Sequence, residues 1–296
     1  MVKIDNLQTE KRNDKTMNLD ELSASELLAI MNEEDQKVPL AVKEALPQIT
    51  EAVEAIIKAL KKQGRLIFMG AGTSGRLGVI DAAECMPTFG TTDEVIGLIA
   101  GGPSAFLKAK EGAEDSQELG ISDLKEINLS NKDVVVGLAA SGRTPYVIGA
   151  LDYATQVGAV TVSVSCNKGA EMSKHAQIAI EVDNGPEVLT GSTRLKAGTS
   201  QKLILNMLST ASMVGIGKVF GNLMVDVKAT NLKLVERSKR IIMMATECDY
   251  ETAEKYYALS DNYPKAAIVM ILTGCSKDEA LKRLDNSEGF VRQAVK

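Results

Sequence analysis

Two segments of the chain combine glycines with hydroxyl-bearing side chains directly after a run of apolar residues. In the first, Gly72, Thr73 and Ser74 follow the apolar run Leu66–Met69 and precede the apolar spacing of a helix. The run is typical of a buried parallel strand. Because a helix N-terminus presents free backbone N–H groups and a positive dipole end, a glycine-rich turn at this position favours anion binding. The first segment therefore predicts a phosphate site.

The second segment repeats this arrangement. Residues 133–138 predict another buried strand, and four small or polar residues follow it: Ser141, Gly142, Arg143 and Thr144. A proline comes next, which suits the first turn of a helix that has Thr144 as its N-cap. In one parallel sheet both turns would lie at the carboxyl ends of strands, where open α/β sheets bind ligands.

The glycine spacing of the first segment also matches the pattern of dinucleotide-binding folds. Hydroxyls at positions 73 and 74, and the lack of an acidic tip on the second strand, argue against a nicotinamide cofactor. A plain strand-to-helix turn would explain one such segment, but coincidence explains two of them less well. We expect neither a cofactor nor a metal ion.

The composition of the chain narrows its class. The 296 residues are 45% hydrophobic and 25% charged, as in an ordinary soluble protein. A net charge of −5 argues against a nucleic-acid partner, which requires a basic face. The four cysteines show no metal-ligand spacing, and we expect reduced thiols in a cytoplasmic protein. We identify no signal peptide and no apolar run of the ~18 residues that span a membrane.

The apolar periodicity predicts strands that alternate with helical or turn-rich segments. The predicted strands lie at 65–70, 95–99, 133–138, 159–165 and 177–182. This alternation indicates an α/β fold, in which a doubly wound parallel sheet forms the middle of three layers.

Helical spacing surrounds the predicted sheet. It covers 19–32 and 38–62 before the first strand and Lys196–Gly215 after the last, while the polar residues 1–16 predict an extended arm. Three short patterns at Cys248–Leu259, Tyr263–Leu272 and Lys277–Leu284 predict a small C-terminal helical bundle. The predicted domains are an N-terminal arm with helices (1–50), a sheet domain (51–222) and a C-terminal helical subdomain (223–296).

Several stretches in order resemble a known family. They are Leu66–Gly78, Asp81–Gly90, Glu111–Ser116, Ala139–Tyr146, Thr190–Gln201 and Lys218–Asn231. The chain resembles the sugar isomerase (SIS) family, whose domains bind phosphosugars with serine and threonine hydroxyls from such turns. It resembles most closely one group of that family, the N-acetylmuramic acid 6-phosphate etherases. Met86 departs from the pattern, which leads us to expect proline there.

The resemblance implies a fold, a reaction and an assembly. It implies a SIS domain, a C-terminal bundle similar to the ubiquitin-associated fold, and a homodimer without cofactor. The implied reaction cleaves the D-lactyl ether of N-acetylmuramic acid 6-phosphate by eliminating lactate and adding water. This chemistry needs a base for the proton on carbon 2 and an acid for the ether oxygen.

The resemblance also implies roles for particular residues. Glu84 matches the proton donor of the family, and Glu114 matches its second catalytic carboxylate. Taken without the resemblance, each would more ordinarily be an exposed acid. Glu187 is a candidate for contact with the sugar hydroxyls, and Lys196 for contact with the phosphate or the lactyl carboxylate. His175, the only histidine, is expected at the surface.

Two other functions remain open for this sequence. A phosphosugar aldose–ketose isomerase on the same fold would also remove the carbon 2 proton, but would return a proton to carbon 1. A non-catalytic sugar-phosphate sensor would bind without reaction, although such a sensor is expected to carry a second SIS copy. The pair Glu84 and Glu114, within its motifs, favours the lyase.

Overall fold

The computed structural model describes residues 7–108 and 110–296. These residues form two compact units. The first, here the sheet unit, contains the described residues up to Ala82 together with Glu94–Ser209. The second, here the helical unit, contains Ala83–Asp93 together with Thr210–Lys296. Two long helices run from one unit into the other, so the units share continuous backbone.

Strands and helices alternate after an N-terminal helical region, as the periodicity predicts. In chain order the elements up to the last strand are α1 (Ala24–Asp35), α2 (Lys37–Glu44), α3 (Leu46–Lys61), β1 (Leu66–Gly70), α4 (Gly72–Phe89), β2 (Val95–Ile99), α5 (Ser104–Leu107), α6 (Gln117–Glu126), β3 (Val134–Ala139), α7 (Pro145–Val157), β4 (Val160–Ser165) and β5 (Ile178–Glu181). All five predicted strands are confirmed, with ends that differ by at most one residue.

The five strands form one parallel sheet in the order β2-β1-β3-β4-β5. Every residue of β1 and of β3 is buried, without the alternation of a sheet that has one wet face. Ile67 and Val135 belong to an apolar cluster with residues of α6 and α7. On β1, Phe68 instead lies against Gly78 of α4. Helices therefore cover both faces, and the doubly wound, three-layer α/β fold is confirmed.

The sheet and α4 approach each other so closely that side chains must be absent between them. A Cβ atom built on Gly75 would lie 2.4 Å from the carbonyl oxygen of Gly70 and 2.8 Å from Cγ1 of Ile99. Contacts this short require the backbone to move. The glycines of the first turn thus allow α4 to begin directly above the end of β1.

The N-terminal region differs from its prediction in detail. The helix predicted from residue 19 begins at Ala24, because Ser23 and Glu26 form a capping box there. The single helix predicted over 38–62 is two helices that meet at Ala45. Pro47 explains the break, since its ring would clash with the carbonyl four residues earlier in a continuous helix.

The predicted arm is partly helical where it is described. Short 3₁₀ turns occupy Gln8–Glu10 and Asp14–Thr16, so this part is not extended throughout. A further 3₁₀ turn at Leu19–Glu21 precedes the first α-helix. Residues 1–6, which the prediction also covered, lie outside the described residues.

The remaining elements are helices. They are α8 (Lys196–Gly215), α9 (Leu232–Thr246), α10 (Tyr250–Leu259), α11 (Pro264–Thr273), α12 (Lys277–Asn286) and α13 (Val291–Ala294). The bounds predicted for α8 are confirmed, and the predicted C-terminal patterns correspond to α10, α11 and α12. The periodicity did not identify α9, which is capped by the side chain of Asn231 accepting from the Leu234 N–H (2.9 Å). The similarity to the ubiquitin-associated fold stays a prediction.

The helical unit has a core of its own. Side chains from α9 to α13 pack with Val225 and Val227 in one apolar cluster. After the last strand of the sheet, the only β structure in the described residues is an isolated bridge between Phe220 and Leu223. No helix in the described part of the chain is long and apolar enough to cross a membrane.

The close approach at Gly75 gives a stability prediction. Gly75→Ala should lower the free energy of unfolding by about 1–3 kcal/mol, because the new methyl group overlaps the β1 backbone. Denaturant unfolding followed by circular dichroism measures this. The matched control is Gly198→Ala on α8, where the nearest atoms would lie at an ordinary 3.6 Å. Equal stabilities for the two variants would contradict the close approach.

Candidate active site

The first turn forms the N-terminus of α4. Gly72 opens the helix with a φ of +51°, and Ser74 lies in the first turn, 7% exposed. The hydroxyl of Ser74 donates to Oε1 of Gln201 over 2.9 Å. Thr73 is half-buried, and its hydroxyl has no hydrogen-bond partner among the described residues. One free hydroxyl and the free N–H groups of a helix start are therefore available at this turn.

The second turn forms the N-terminus of α7. Gly142 has a φ of +71°, and a Cβ atom there would lie 2.5 Å from Cβ of Ala170, so only glycine fits. Thr144 holds the N-cap position that the sequence predicts, and Pro145 is the first helical residue. The hydroxyl of Ser141 has no partner within the described part of the chain. The second turn therefore also offers an unengaged hydroxyl beside a helix start.

Glu114 is attached to the second turn. Its Oε1 accepts a hydrogen bond from the Thr144 hydroxyl (2.9 Å), and its carbonyl accepts from the Tyr146 N–H (3.0 Å). Thr144 is buried while Glu114 is exposed. The side chain of Thr144 thus orients the carboxylate of Glu114 and does not cap its own helix. Arg143 is half-buried in the same turn.

The sheet brings the two turns together. β1 and β3 are hydrogen-bonded neighbours, with Gly70 level with Leu138 at their carboxyl ends. Neighbouring strands lie about 4.8 Å apart, so the turns that follow them are adjacent. The strand order also reverses between β1 and β3, and this switch point is where open α/β sheets bind ligands.

Asn167, at the carboxyl end of β4, links the second turn to the N-terminal arm. Its Oδ1 accepts from the backbone N–H groups of Gln8 (2.7 Å) and Thr9 (3.4 Å). Its Nδ2 lies within hydrogen-bonding distance of the Thr9 hydroxyl (3.1 Å) and of the carbonyls of Ala140 (3.1 Å) and Ser141 (3.3 Å). The side chain is only 2% exposed. One buried amide thus fixes two segments that are far apart in sequence.

Glu187 holds the start of α8. Its two carboxylate oxygens accept from the backbone N–H groups of Lys196 and Ala197, each over 2.9 Å. The side chain is 1% exposed, and burial raises its pKa although the two N–H groups oppose the rise. The helix dipole also favours a negative charge at this end. Glu187 is therefore a buried cap of α8 in this structure.

Lys196 forms a buried ion pair with α1. Its Nζ donates to Oε2 of Glu34 over 2.7 Å, and each side chain is 1% exposed. Lys37 donates to the other oxygen of Glu34 over 2.5 Å. Burial alone would raise the pKa of Glu34, but these ammonium groups lower it to about 2. The ammonium of Lys196 thus fastens α1 to the start of α8.

Glu84 belongs to the helical unit. It is exposed on α4, ten positions beyond Ser74, within the part of that helix that belongs to the helical unit. The other predicted site residues belong to the sheet unit. Within the sheet unit, the start of α8 lies close to the first turn. A Cβ atom built on Gly198 would lie 3.6 Å from Cγ2 of Thr73. Contacts thus join the first turn to α8, and the second turn to Glu114.

Two family models match the chain. One describes the N-terminal SIS domain of glucokinase regulatory protein and covers residues 48–155, and the other describes the SIS domain and covers residues 120–211. N-acetylmuramic acid 6-phosphate etherase 2 of Lactiplantibacillus plantarum is 66% identical over 99% of this chain and 99% of the relative. The etherase of a Bacillus cereus strain is 61% identical over 99% of this chain and 100% of the relative.

The chain belongs to the N-acetylmuramic acid 6-phosphate etherase family. The predicted family is therefore confirmed. A phosphoheptose isomerase from Francisella tularensis has a similar structure, with a TM-score of 0.53 over 65% of this chain and 100% of the isomerase. Since its sequence is only 14% identical, that similarity concerns the fold alone.

Three residues at the site of this etherase-family chain were not among the predicted site residues. Gln201 closes the stretch Thr190–Gln201 that carries the resemblance, and its buried Nε2 has no hydrogen-bond partner among the described residues. Glu34 carries no local signal, because an acidic residue in a helix is ordinarily solvated. Asn167 lies just after the buried strand β4. A polar residue at the carboxyl end of a buried strand is a signal from which the sequence could have identified it as a site residue.

The Asn167 contacts predict how the arm is held. Asn167→Asp keeps acceptors for the N–H groups of Gln8 and Thr9 but removes the donors to the Ala140 and Ser141 carbonyls, which the new carboxylate would repel. Amide hydrogen exchange in residues 8–13 should accelerate by about tenfold, the equivalent of about 1.4 kcal/mol.

The matched control for this variant is Asn131→Asp, an exposed asparagine before the amino end of β3. Mass spectrometry of arm peptides should show no change of exchange in the control. An unchanged arm in Asn167→Asp would mean that other contacts hold it.

Proposed function

We propose that this chain cleaves the D-lactyl ether of N-acetylmuramic acid 6-phosphate, giving N-acetylglucosamine 6-phosphate and D-lactate. The observation that carries the proposal is the 66% identity to a curated etherase over 99% of the chain. The chain is accordingly a carbon–oxygen lyase of amino-sugar catabolism with a phosphosugar substrate. The similarity to an isomerase structure concerns the fold and gives that alternative no comparable support.

Elimination explains how such an ether can be broken. Alkoxide is a poor leaving group, and carbon 3 is not activated in the closed sugar. In the open aldehyde form the carbon 2 proton lies alpha to a carbonyl, so a general base can remove it. The enolate then expels lactate from carbon 3, and water adds to the unsaturated aldehyde. Proton transfers at carbon 2 and at the ether oxygen are the steps that side chains must supply.

We assign Glu114 to the carbon 2 proton. The Thr144 hydroxyl binds Oε1 and thereby fixes the carboxylate at the carboxyl end of β3, beside the second turn. The other oxygen has no hydrogen bond to the described residues, so it can accept a proton from substrate. We assign Glu84 to protonation of the departing lactate oxygen and then to activation of the incoming water.

The two turns are assigned to the phosphate. The hydroxyls of Thr73 and Ser141 have no partner among the described residues. The space beside Gly72 is open, so a ligand can approach the backbone of the first turn. Ser74 has one hydroxyl proton, which goes to Gln201 in this structure, so its donation to phosphate requires that proton to turn. Arg143 adds a positive charge beside the second turn. Lys196 and Glu187 serve the site by holding the start of α8.

The length of α4 supports a homodimer. Ser74 and Glu84 are ten residues apart on this helix, which is about 15 Å along its axis. In a hexose 6-phosphate only five bonds of about 1.5 Å each separate phosphorus from carbon 3. Between backbone positions this span is about twice the length of such a substrate, so Glu84 of the same chain is poorly placed for a sugar held at the first turn. We therefore assign the Glu84 of each site to a second copy of the chain.

We also propose that the enzyme is cytoplasmic. Cys85, Cys166, Cys248 and Cys275 are free thiols, as in proteins of a reducing compartment. A phosphorylated sugar is charged and does not diffuse through a bilayer, so its consumption inside the cell fits this assignment.

Reaction in isotopically labelled water tests the function. Wild type should release D-lactate and place deuterium on carbon 2 and oxygen-18 on carbon 3 of the product, as mass spectrometry and NMR would show. Glu114→Gln should lose both labels, because an amide is not a useful base. Glu84→Gln should lose lactate release by at least about 10²–10⁴-fold while slow exchange at carbon 2 persists. Absence of lactate release from wild type would overturn the proposed function, and the reverse mutant pattern would swap the two roles.

Mixed dimers test whether Glu84 acts across subunits. Glu84→Gln and Glu114→Gln chains carrying different tags can be co-expressed and their mixed dimer purified. If Glu84 serves the partner's site, one of the two sites in the mixed dimer is intact, and activity should return to about half of wild type. If Glu84 serves its own chain, both sites are defective and the mixed dimer stays inactive. A fully active monomer in light scattering would also exclude the shared site.

A further inference from the structure

A cavity of about 600 Å³ lies in the helical unit, which the proposed reaction does not use beyond Glu84. This volume is within the range of pockets that bind small molecules. Phe89, Val235 and Tyr257 supply apolar and aromatic walls. Thr230 and Asn262 add polar groups. The cavity thus combines apolar walls with a few polar groups, as ligand sites do.

The residues around this cavity carry more positive than negative charge. Lys218, Lys228 and Asp226 line it, and Lys265 lies behind Asp226, 3% exposed. Oδ2 of Asp226 accepts from Lys265 Nζ over 2.8 Å, and Lys218 Nζ lies 3.8 Å from the same oxygen. A single carboxylate therefore faces two ammonium groups, and Lys228 is a further exposed cation.

The carboxylate of Asp226 has little capacity left for Lys218. Its other oxygen, Oδ1, accepts from the Tyr263 hydroxyl over 2.8 Å. Burial and the neighbouring Asp226 charge raise the pKa of Tyr263, which keeps that hydroxyl a donor. Lys265 and Tyr263 both donate hydrogen bonds to the Asp226 carboxylate, whereas Lys218 lies 3.8 Å from it. Asp226 therefore compensates the positive charge of Lys218 only weakly.

The backbone beside these lysines also offers donors. Val227 and Ala229 line the cavity, and neither backbone N–H has an acceptor among the described residues. Their segment packs closely against the residue that follows α4, because a Cβ atom at Gly90 would lie 2.6 Å from the Asp226 carbonyl oxygen. Ammonium groups and free backbone N–H groups are the donors with which proteins bind phosphate and carboxylate.

We propose that this cavity is a second ligand site, which binds a small organic anion bearing a phosphate or a carboxylate. Lys218 and Lys228 hold the anionic group together with backbone N–H groups of 227–229. Phe89, Val235 and Tyr257 pack against the organic part. The stretch Lys218–Asn231 was part of the family resemblance and has no role in the proposed reaction. The second site gives it one.

Fluorine NMR on the full-length chain tests the proposal. The chain has six tyrosines and no tryptophan, so 3-fluorotyrosine gives few resonances, and single Tyr→Phe variants assign them. The probes are inorganic phosphate, D-lactate and N-acetylglucosamine 6-phosphate, with unphosphorylated N-acetylglucosamine as the neutral comparison. We expect the Tyr257 and Tyr263 resonances to shift and saturate with at least one of the anions. The anion that binds most tightly distinguishes phosphate from carboxylate recognition.

Paired lysine variants locate the site. Lys218→Gln with Lys228→Gln should weaken this binding by about tenfold or more, because charge-assisted hydrogen bonds are lost. The matched control is Lys233→Gln with Lys282→Gln, two exposed lysines of the same unit outside the cavity. Unchanged affinity in the control and an unchanged circular dichroism melting curve in both would support the site. If the first pair does not fold, Lys228→Gln alone replaces it.

Three results would overturn the second site. The Tyr257 and Tyr263 resonances could stay fixed while only those of Tyr146 and Tyr153, in the sheet unit, respond. The neutral sugar could shift them as much as the anions do. The two lysine pairs could weaken binding equally. None of these results depends on whether the chain releases lactate, so the proposed function and the second site can fail separately.

Discussion

The parallel pairing of β1 with β3 is the constraint on which the rest of the sheet unit depends. The two strands are separated by more than sixty residues, yet their carboxyl ends lie level at Gly70 and Leu138. The strand order reverses at this pair, so the connections leave to opposite sides and open a crevice. The backbone hydrogen bonds between β1 and β3 place both hydroxyl-bearing turns at that crevice.

Buried polar side chains then fix what surrounds the crevice. Asn167 fastens the arm to the second turn, Glu187 caps α8, and the Glu34–Lys196 pair joins α8 to α1. Each of these groups would be costly to bury alone, and each is satisfied by partners distant in sequence. Removal of one partner would leave the other uncompensated. Such contacts join particular segments to one another, because each buried polar group needs its own partner.

The side chains assigned to chemistry are of a different kind. Glu84 and Glu114 are exposed, and the hydroxyls of Thr73 and Ser141 have no partner in the described residues. Exposed carboxylates and hydroxyls without a protein partner are what a substrate can bind, whereas Lys196 and Glu187 are buried and bonded to protein groups. The division separates residues that hold the site from residues that remain available to a ligand.

The sequence alone determined the elements and the turns. The apolar runs located all five strands, because a strand buried on both faces is apolar at nearly every position. Glycine and hydroxyl residues shortly after Met69 and Leu138 located both helix starts, since such turns have local steric requirements. Two further boundaries are also visible in the local sequence. Pro47 indicates the break between α2 and α3, and Asn231, an N-cap residue, indicates the start of α9.

Only the tertiary structure decided which side chains meet. Lys196 pairs with Glu34, 162 positions away, and Ser74 bonds Gln201, 127 positions away. No spacing along the chain encodes these distances, because they follow from sheet order and helix packing. For the same reason the sequence could nominate Lys196 and Glu187 for the substrate but could not reveal that protein groups engage both. Local patterns fix local structure, and contacts between distant residues exist only once the whole sheet unit has assembled.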